Sequence, residues 1–317
     1  MKKFLAIALL AFTTFTYGQS YPSKPIRIIV PFPPGNTMDI MSRLIGPKIT
    51  ERTGQQVIVE NRPGASGMLG LDLVAKAVPD GYTIGAGQGG NLTVLPHTSK
   101  NCPYDPLKDF LPIAVSTTNY LGIVANPNAP FKTIGEMVKW AKENPGRLTV
   151  ATNGEGGFPH LGFEHLRSMA GFTYTHVPYK GSAAIATDVI GGQVQAAMDG
   201  ITGMTPHIKS ERLRLLATTN KTRPALWPSH PVAGEDVPGY ESGGWFGYAA
   251  PAMTPRDIIL KLNDEINRAM RQPDVSDKLV AAGLIVVTEP PEFFATLLRN
   301  DFQKYGKLVK DIGFKPQ

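Results

Sequence analysis

Two segments of the 317-residue chain combine residue types that can hold an anion without any cation: Pro31-Phe32-Pro33-Pro34-Gly35-Asn36-Thr37-Met38-Asp39 and Asn153-Gly154-Glu155-Gly156-Gly157-Phe158-Pro159-His160. Each follows an apolar run and precedes a stretch of helical periodicity, so each is a Gly-containing loop feeding a helix start. There several backbone N–H groups lack partners and the macrodipole presents partial positive charge. Gly35, Gly156 and Gly157 let the backbone approach closely, and Asn36, Thr37 and Asn153 add side-chain donors. Neither loop contains Lys or Arg, and the nearest, Arg43 and Arg167, fall inside the following helices. The chemistry this permits is reversible capture of a solvated organic carboxylate. For either loop alone, a tight βα turn without a ligand is the competing reading. A Glu155 carboxylate facing such a ligand would repel it unless a proton or cation intervened.

Phe32, Met38 and Phe158 are large and apolar and stand beside these helix starts. If they face the cleft, the ligand has an apolar and preferably aromatic body, as in benzoate or terephthalate; if they face inward, they are core. Asp39, His160, Asn91, Ser182 and Asp199, at strand ends or helix starts, complete the candidate ligand-binding set.

Other chemistries find little support. Gly85-Ala-Gly-Gln-Gly-Gly90 fits the spacing of a dinucleotide loop, but it lacks the usual βαβ context and is expected to be a flexible loop at a strand end. His160 and His165 flank Glu164; five residues apart on a helix they point about 140° from each other and cannot share a metal. Cys102 is the single cysteine, which excludes an internal disulfide and a zinc–thiolate site. No motif pairs a nucleophile with a base, so no enzyme, metal or cofactor is expected.

The elements that position these residues alternate. Strands are expected at Ile26–Val30, Gln56–Val59 and Tyr82–Ile84, with helices after Thr37 and at Met68–Val74; Gly46-Pro47 is expected to kink or shorten the first helix. A second series runs from the strand Leu121–Ala125 through a helix opened by the capping box Thr133-x-x-Glu136. It continues with strands near Leu148–Ala151, Tyr174–Val177, Val194–Met198 and Leu213–Ala217, and helices His160–Met169 and Ser182–Ile190. The C-terminal part reads mostly as helix, near Thr254–Met270 and Pro291–Val309, and cannot form a third sheet. It is therefore expected to return to the first unit, with two strands crossing between lobes near residues 117 to 122 and 243 to 250. In such α/β sheets a ligand lies beyond the carboxyl ends of the strands, where both loops fall.

Composition agrees with a globular chain: 42% hydrophobic, 18% charged, with 33 Gly and 28 Pro. The formal charge of +6 is scattered, which argues against nucleic acid. Lys2-Lys3, the apolar run Phe4–Phe12 and the small or polar stretch Thr13–Ser20 read as a secretory signal cleaved after Gly18, too short in its apolar part for the roughly 20 residues of a membrane span. Its removal takes away two lysines and no acid, leaving +4.

The strings Val30-Pro-Phe-Pro-Pro-Gly-Asn-Thr-Met-Asp39, Val59-Glu-Asn-Arg-Pro-Gly-Ala-Ser-Gly67, Pro79-Asp-Gly-Tyr-Thr83, Val177-Pro-Tyr-Lys-Gly181 and Gly191-Gly-Gln-Val194 occur in an order that resembles the Bug family, substrate-binding receptors of tripartite tricarboxylate transporters. The resemblance covers essentially the whole chain after residue 18. It implies a two-lobed periplasmic binding protein fold of type II, the Venus flytrap, with residues 19–118 and 245–317 in lobe 1 and 119–244 in lobe 2. It also implies that loops 31–39 and 153–158 grip a ligand carboxylate, often through water, for delivery to an integral membrane permease, with a monomeric receptor expected. Many members have Gly-Gly where this chain has Gly35-Asn36, a departure that adds an amide beside the ligand. A ligand-sensing subunit for a membrane kinase and an aliphatic di- or tricarboxylate receptor remain the alternatives.

Overall fold

The uninterrupted apolar run Ile26–Val30 forms strand β1, held between β2 (Val57–Asn61) and β3 (Thr83–Gln88), both parallel to it. The computed structural model describes residues 21–316, so the expected signal segment lies outside the described residues. Helices α1 (Thr37–Thr53) and α2 (Met68–Ala75) make the crossovers. Pro47 does not shorten α1, because it sits on the exposed side, where water can satisfy the carbonyl a proline leaves unpaired.

Contrary to expectation, the Gly85–Gly90 string is largely strand. Gly85 and Gly87 pair within β3 against Ala249 and Gly247, and the chain then enters a π-helical turn at Gly90–Val94 and helix α3 (Leu95–Thr98). A Cβ on Gly87 would stand 2.5 Å from Leu92 and one on Gly85 would stand 3.0 Å from Val74, so these glycines allow close packing on the sheet.

Strand β4 (Phe110–Ala125) begins eleven residues before its expected start and serves both sheets. Its first part pairs antiparallel with β9 (Gly243–Pro251), which also pairs with β3, and with the short β10 (Ile285–Val286). Its last part pairs with β7 (Ala196–Gly200) and β8 (Arg214–Thr218). Strands β5 (Thr149–Asn153) and β6 (Thr175–Tyr179) extend that second sheet in parallel beyond β7. Thr219 ties the crossing strands together: its hydroxyl accepts the Leu121 N–H at 2.9 Å and bonds the Ser242 carbonyl.

The second sheet is covered by α4 (Ile134–Glu143), α5 (Phe158–Ala170), α6 (Ser182–Ile190) and α7 (Ile201–Lys209), with α8 (Ala233–Asp236) beyond β8. At α4 Thr133 caps Glu136 N–H as expected, whereas the Glu136 carboxylate takes the Lys132 N–H instead of that of Thr133. Helix α9 (Arg256–Met270) packs beside α1, and α9 and α11 (Pro291–Asp311) pack on β4, with α10 (Pro273–Ala281) between them in sequence; the tail thus returns to the first unit. One core joins Ile28, Val30, Met38, Met41 and Ile45 to Ile259, Leu262 and Ile266, and a separate one joins Leu121, Ile123, Val150, Phe163 and Met198. Helices α7 and α10 escape the sequence reading because Gly203 and Pro206 in the one and Pro273 at the start of the other look like turn residues. Among the described residues no helix is long and apolar enough to cross a membrane.

Candidate functional site

A cavity of about 380 Å³ opens at the carboxyl ends of β3, β5 and β7, where Gln88, Asn153 and Asp199 line it. The crossing strands contribute Asn119, Leu121, Gly244, Trp245 and Phe246. Its size lies in the range that encloses one small organic molecule.

Four helices begin at this cavity. Thr37 is the first residue of α1, Phe158 of α5 and Ser182 of α6, while Thr202 and Gly203 lie in the first turn of α7. The residues preceding α5, α6 and α7 are Gly157, Gly181 and Gly200, none of which caps its helix with a side chain. Three sets of helix-start N–H groups are thereby left without a side-chain cap, and their dipoles set partial positive charge beside a cavity that no Lys, Arg or His lines and to which Asp199 brings the one acid. An anion is the ligand that partial charge favours.

Helix α1 differs. Asn36 Oδ1 accepts the N–H groups of Met38 at 2.8 Å and Asp39 at 3.1 Å, so the Asn36 side chain caps its own helix and does not line the cavity. Asp39 also turns inward, accepting from Gly35 N–H, Arg43 Nε and Asn61 Nδ2. Burial alone would raise its carboxyl, but the Arg43 bond, the Gly35 N–H and the Asn61 amide together hold it below the usual range. Gly35, with φ of +85°, makes the left-handed turn that lets its N–H reach this carboxylate. Of the first loop, only Thr37 lines the cavity.

The apolar expectation needs correction at two of three positions. Met38 is completely buried in the first core, on the inward face of α1, and Phe32 packs against that same core and the turn at Gly67. Phe158 does line the cavity, and Trp245 and Phe246 join it from β9. Their contribution was missed because facing is hard to read in a crossing strand buried almost throughout; the expected crossover at residues 243 to 250 was the only signal. Asn119 in β4 was missed for the same reason, and Gln88 because the Gly85–Gly90 string reads as a flexible loop.

In the second loop Gly156 has φ of +66° and donates its N–H to His160 Nδ1 at 2.9 Å. His160 is therefore spent behind the loop, stacked on His176, and does not line the cavity. Gly157 opens α5 with its carbonyl accepting from Leu161 N–H; a Cβ there would meet the Asn153 carbonyl at 2.8 Å. Neither Gly156 nor Gly157 is a lining residue, and Glu155 is exposed and outside the lining too. Asn91 is buried beside the cavity, its Oδ1 accepting Gln88 N–H and its Nδ2 unpartnered. Asn153, Ser182 and Asp199 line it as a group, with Ser182 donating its hydroxyl to Asp199 Oδ2.

The family described as tripartite tricarboxylate transporter family receptor matches residues 41–314. A UPF0065 protein encoded in the tcbD-tcbE intergenic region of Pseudomonas sp. (strain P51) is 37% identical over 308 residues, covering 96% of this chain and 91% of that one. The structure of periplasmic binding protein BugD superposes with a TM-score of 0.77 at 30% identity, covering 94% of this chain and all of that one. An R. palustris protein solved with adipate superposes with a TM-score of 0.81 at 29% identity, again covering 94% of this chain and all of the other. The fold is that of a two-lobed periplasmic binding protein.

Proposed function

The chain belongs to the family of tripartite tricarboxylate transporter receptors, and on that premise we propose that it captures one organic carboxylate in the cleft between its lobes, in the periplasm, and delivers it as a monomer to the transporter's membrane permease. It is a receptor and not an enzyme. The observation that carries the ligand class is the convergence of uncapped helix starts on a cavity lined by no cationic side chain. Such a site attracts a carboxylate by oriented amides, which bind reversibly and leave the ligand unchanged. Thr37 and Asn153 grip the carboxylate from the two loops. We place the lobe boundaries at residues 118/119 and 244/245, so that β4 and β9 form the hinge.

Phe158, Trp245 and Phe246 favour a ligand with a flat apolar body, and we propose an aromatic dicarboxylate of the terephthalate type. An aliphatic dicarboxylate is the second reading, favoured by the similar protein solved with adipate. Native mass spectrometry of freshly purified protein, followed by calorimetric titration with terephthalate, benzoate, adipate, citrate and aspartate, tests both. Binding of terephthalate without conversion is expected. Stabilisation by hydroxy or amino acids alone would refute the aromatic assignment, and conversion of a bound acid would refute the receptor reading.

A further inference from the structure

We propose that Asp199 recognises a second carboxyl group of the ligand, the two sharing one hydrogen ion taken from solvent, so that the receptor binds a dicarboxylate together with a proton. This rests on the carboxylate reading above and names the end of the ligand that the loops do not hold.

Asp199 is the single ionisable side chain among the cavity's lining residues, and it is 3% exposed. It is the next-to-last residue of β7, just before the start of α7, and the Ser182 hydroxyl and the Gly200 N–H donate to it. No cation faces it. Strand β4 brings Tyr120, itself buried with a phenol raised to about 12 by burial, and β5 brings no titratable group. Helix α6 brings Asp188, which is bonded to Tyr179, and α7 brings His207 and Lys209 from its last turn. From α5, His160 is turned to Gly156 and His176, Arg167 pairs with Glu164, and His165 packs against Tyr240. None of these acts on the ionisation of Asp199: burial raises its carboxyl, and only the Ser182 hydroxyl and Gly200 N–H oppose the rise.

A lone acid is out of place in an anion receptor if it stays charged. Two carboxylates brought together in a site shielded from water cannot both remain ionised, and the pair keeps one proton. One O–H bond forms, the hydrogen ion comes from bulk water, and no bond of the ligand breaks. The shared proton turns a repulsive contact into a hydrogen bond between acid and carboxylate, which a monoacid has no group to make. Asp199 thereby selects diacids over monoacids of the same shape.

The test is calorimetric titration of the full protein with terephthalate and adipate at pH 6, 7 and 8, each in two buffers of different ionisation heat, with benzoate as the monoacid control. Uptake of about one proton per diacid is expected, with affinity falling by up to about tenfold per pH unit as pH rises above the carboxyl's value in the free protein. Asp199→Asn should bind the diacids with neither the uptake nor the slope, and Ser182→Ala should keep the uptake while moving the pH at which the slope begins. Benzoate should bind without proton uptake. Diacid binding with no proton uptake, or a slope retained in Asp199→Asn, overturns the proposal and leaves the carboxylate reading standing. If no acid binds at all, the carboxylate reading fails and this proposal falls with it.

Discussion

The imidazole of His160 lies face to face with that of His176, ring centres 3.7 Å apart and planes 10° from parallel, while its Nδ1 accepts the Gly156 N–H of the second loop. The His176 Nε2 contacts the Thr152 hydroxyl at 2.7 Å, so the stack joins α5, β5 and β6 under one loop of the cavity. His160 must be neutral for this arrangement, because its Nδ1 accepts the Gly156 N–H. Burial lowers His160, with Glu164 and Glu155 opposing, and burial followed by the neighbouring His160 brings His176 down to about 4.

Acid should therefore loosen the second loop. Between about 4 and about 6.5 the unfolded chain binds more protons than the folded one at His176, so its contribution to stability is complete above pH 6.5 and is lost as pH falls toward 4, and the lowered His160 adds a loss of the same sign. The melting temperature should drop through that window, and His176→Gln should flatten the drop. An unchanged acid limb in the variant would show that other groups set it.

At the first loop, capping and ligand contact are divided between neighbours. Asn36→Ala should cost about 1 kcal/mol of stability, the usual value of an N-cap side chain, because it strips the partner from the Met38 and Asp39 N–H groups. Thr37→Ala and Asn153→Ala should instead weaken carboxylate binding by roughly 1 to 3 kcal/mol each, the range for a hydrogen bond to a charged group, and leave the unliganded protein's melting point nearly unchanged. Paired denaturation and titration measurements separate the two effects; equal loss of stability in all three variants would refute the division.

Met38→Ala should destabilise the protein by about 2 to 5 kcal/mol, the range for emptying a fully buried long side chain. Chemical denaturation reads it directly. A near-neutral result, with altered ligand preference, would return Met38 to the cavity wall.

Those residues also mark how far the sequence could be read. The strand–loop–helix order, the return of the C-terminal helices and both helix starts at the cavity were legible because periodicity and Gly-Pro punctuation are local signals. The direction of a loop side chain is not local. Whether Asn36 serves the ligand or its own helix depends on whether its Oδ1 accepts the Met38 and Asp39 N–H groups or its Nδ2 donates to a carboxylate, and Asp39 is drawn inward by Asn61, 22 residues away. Trp245 and Asn119 face the cavity because β9 and β4 pair in the register Trp245↔Thr118 and Gly244↔Asn119, a tertiary choice with no sequence period of its own. Gly85 and Gly87 looked like a loop because packing, not φ, is what demands glycine there.

Gly156 offers a test in which two costs can be separated. Its φ of +66° is disfavoured for any residue with a Cβ, and a Cβ built there would stand 2.7 Å from the ring of Phe314, which packs edge-on to His160 from the C-terminal segment. Gly156→Ala should therefore destabilise by about 1 to 2 kcal/mol from the backbone alone, with a further loss from displacing Phe314. Phe314 belongs to the cluster of Tyr305, Leu308 and Leu161 that joins α11 to α5, so its displacement should also lower the protection of the α5 amides from hydrogen exchange. Adding Phe314→Ala to Gly156→Ala should recover the steric part and leave the backbone part, so the two substitutions should be less than additive. Strict additivity in the double-mutant cycle would mean that the ring and the loop do not touch in solution.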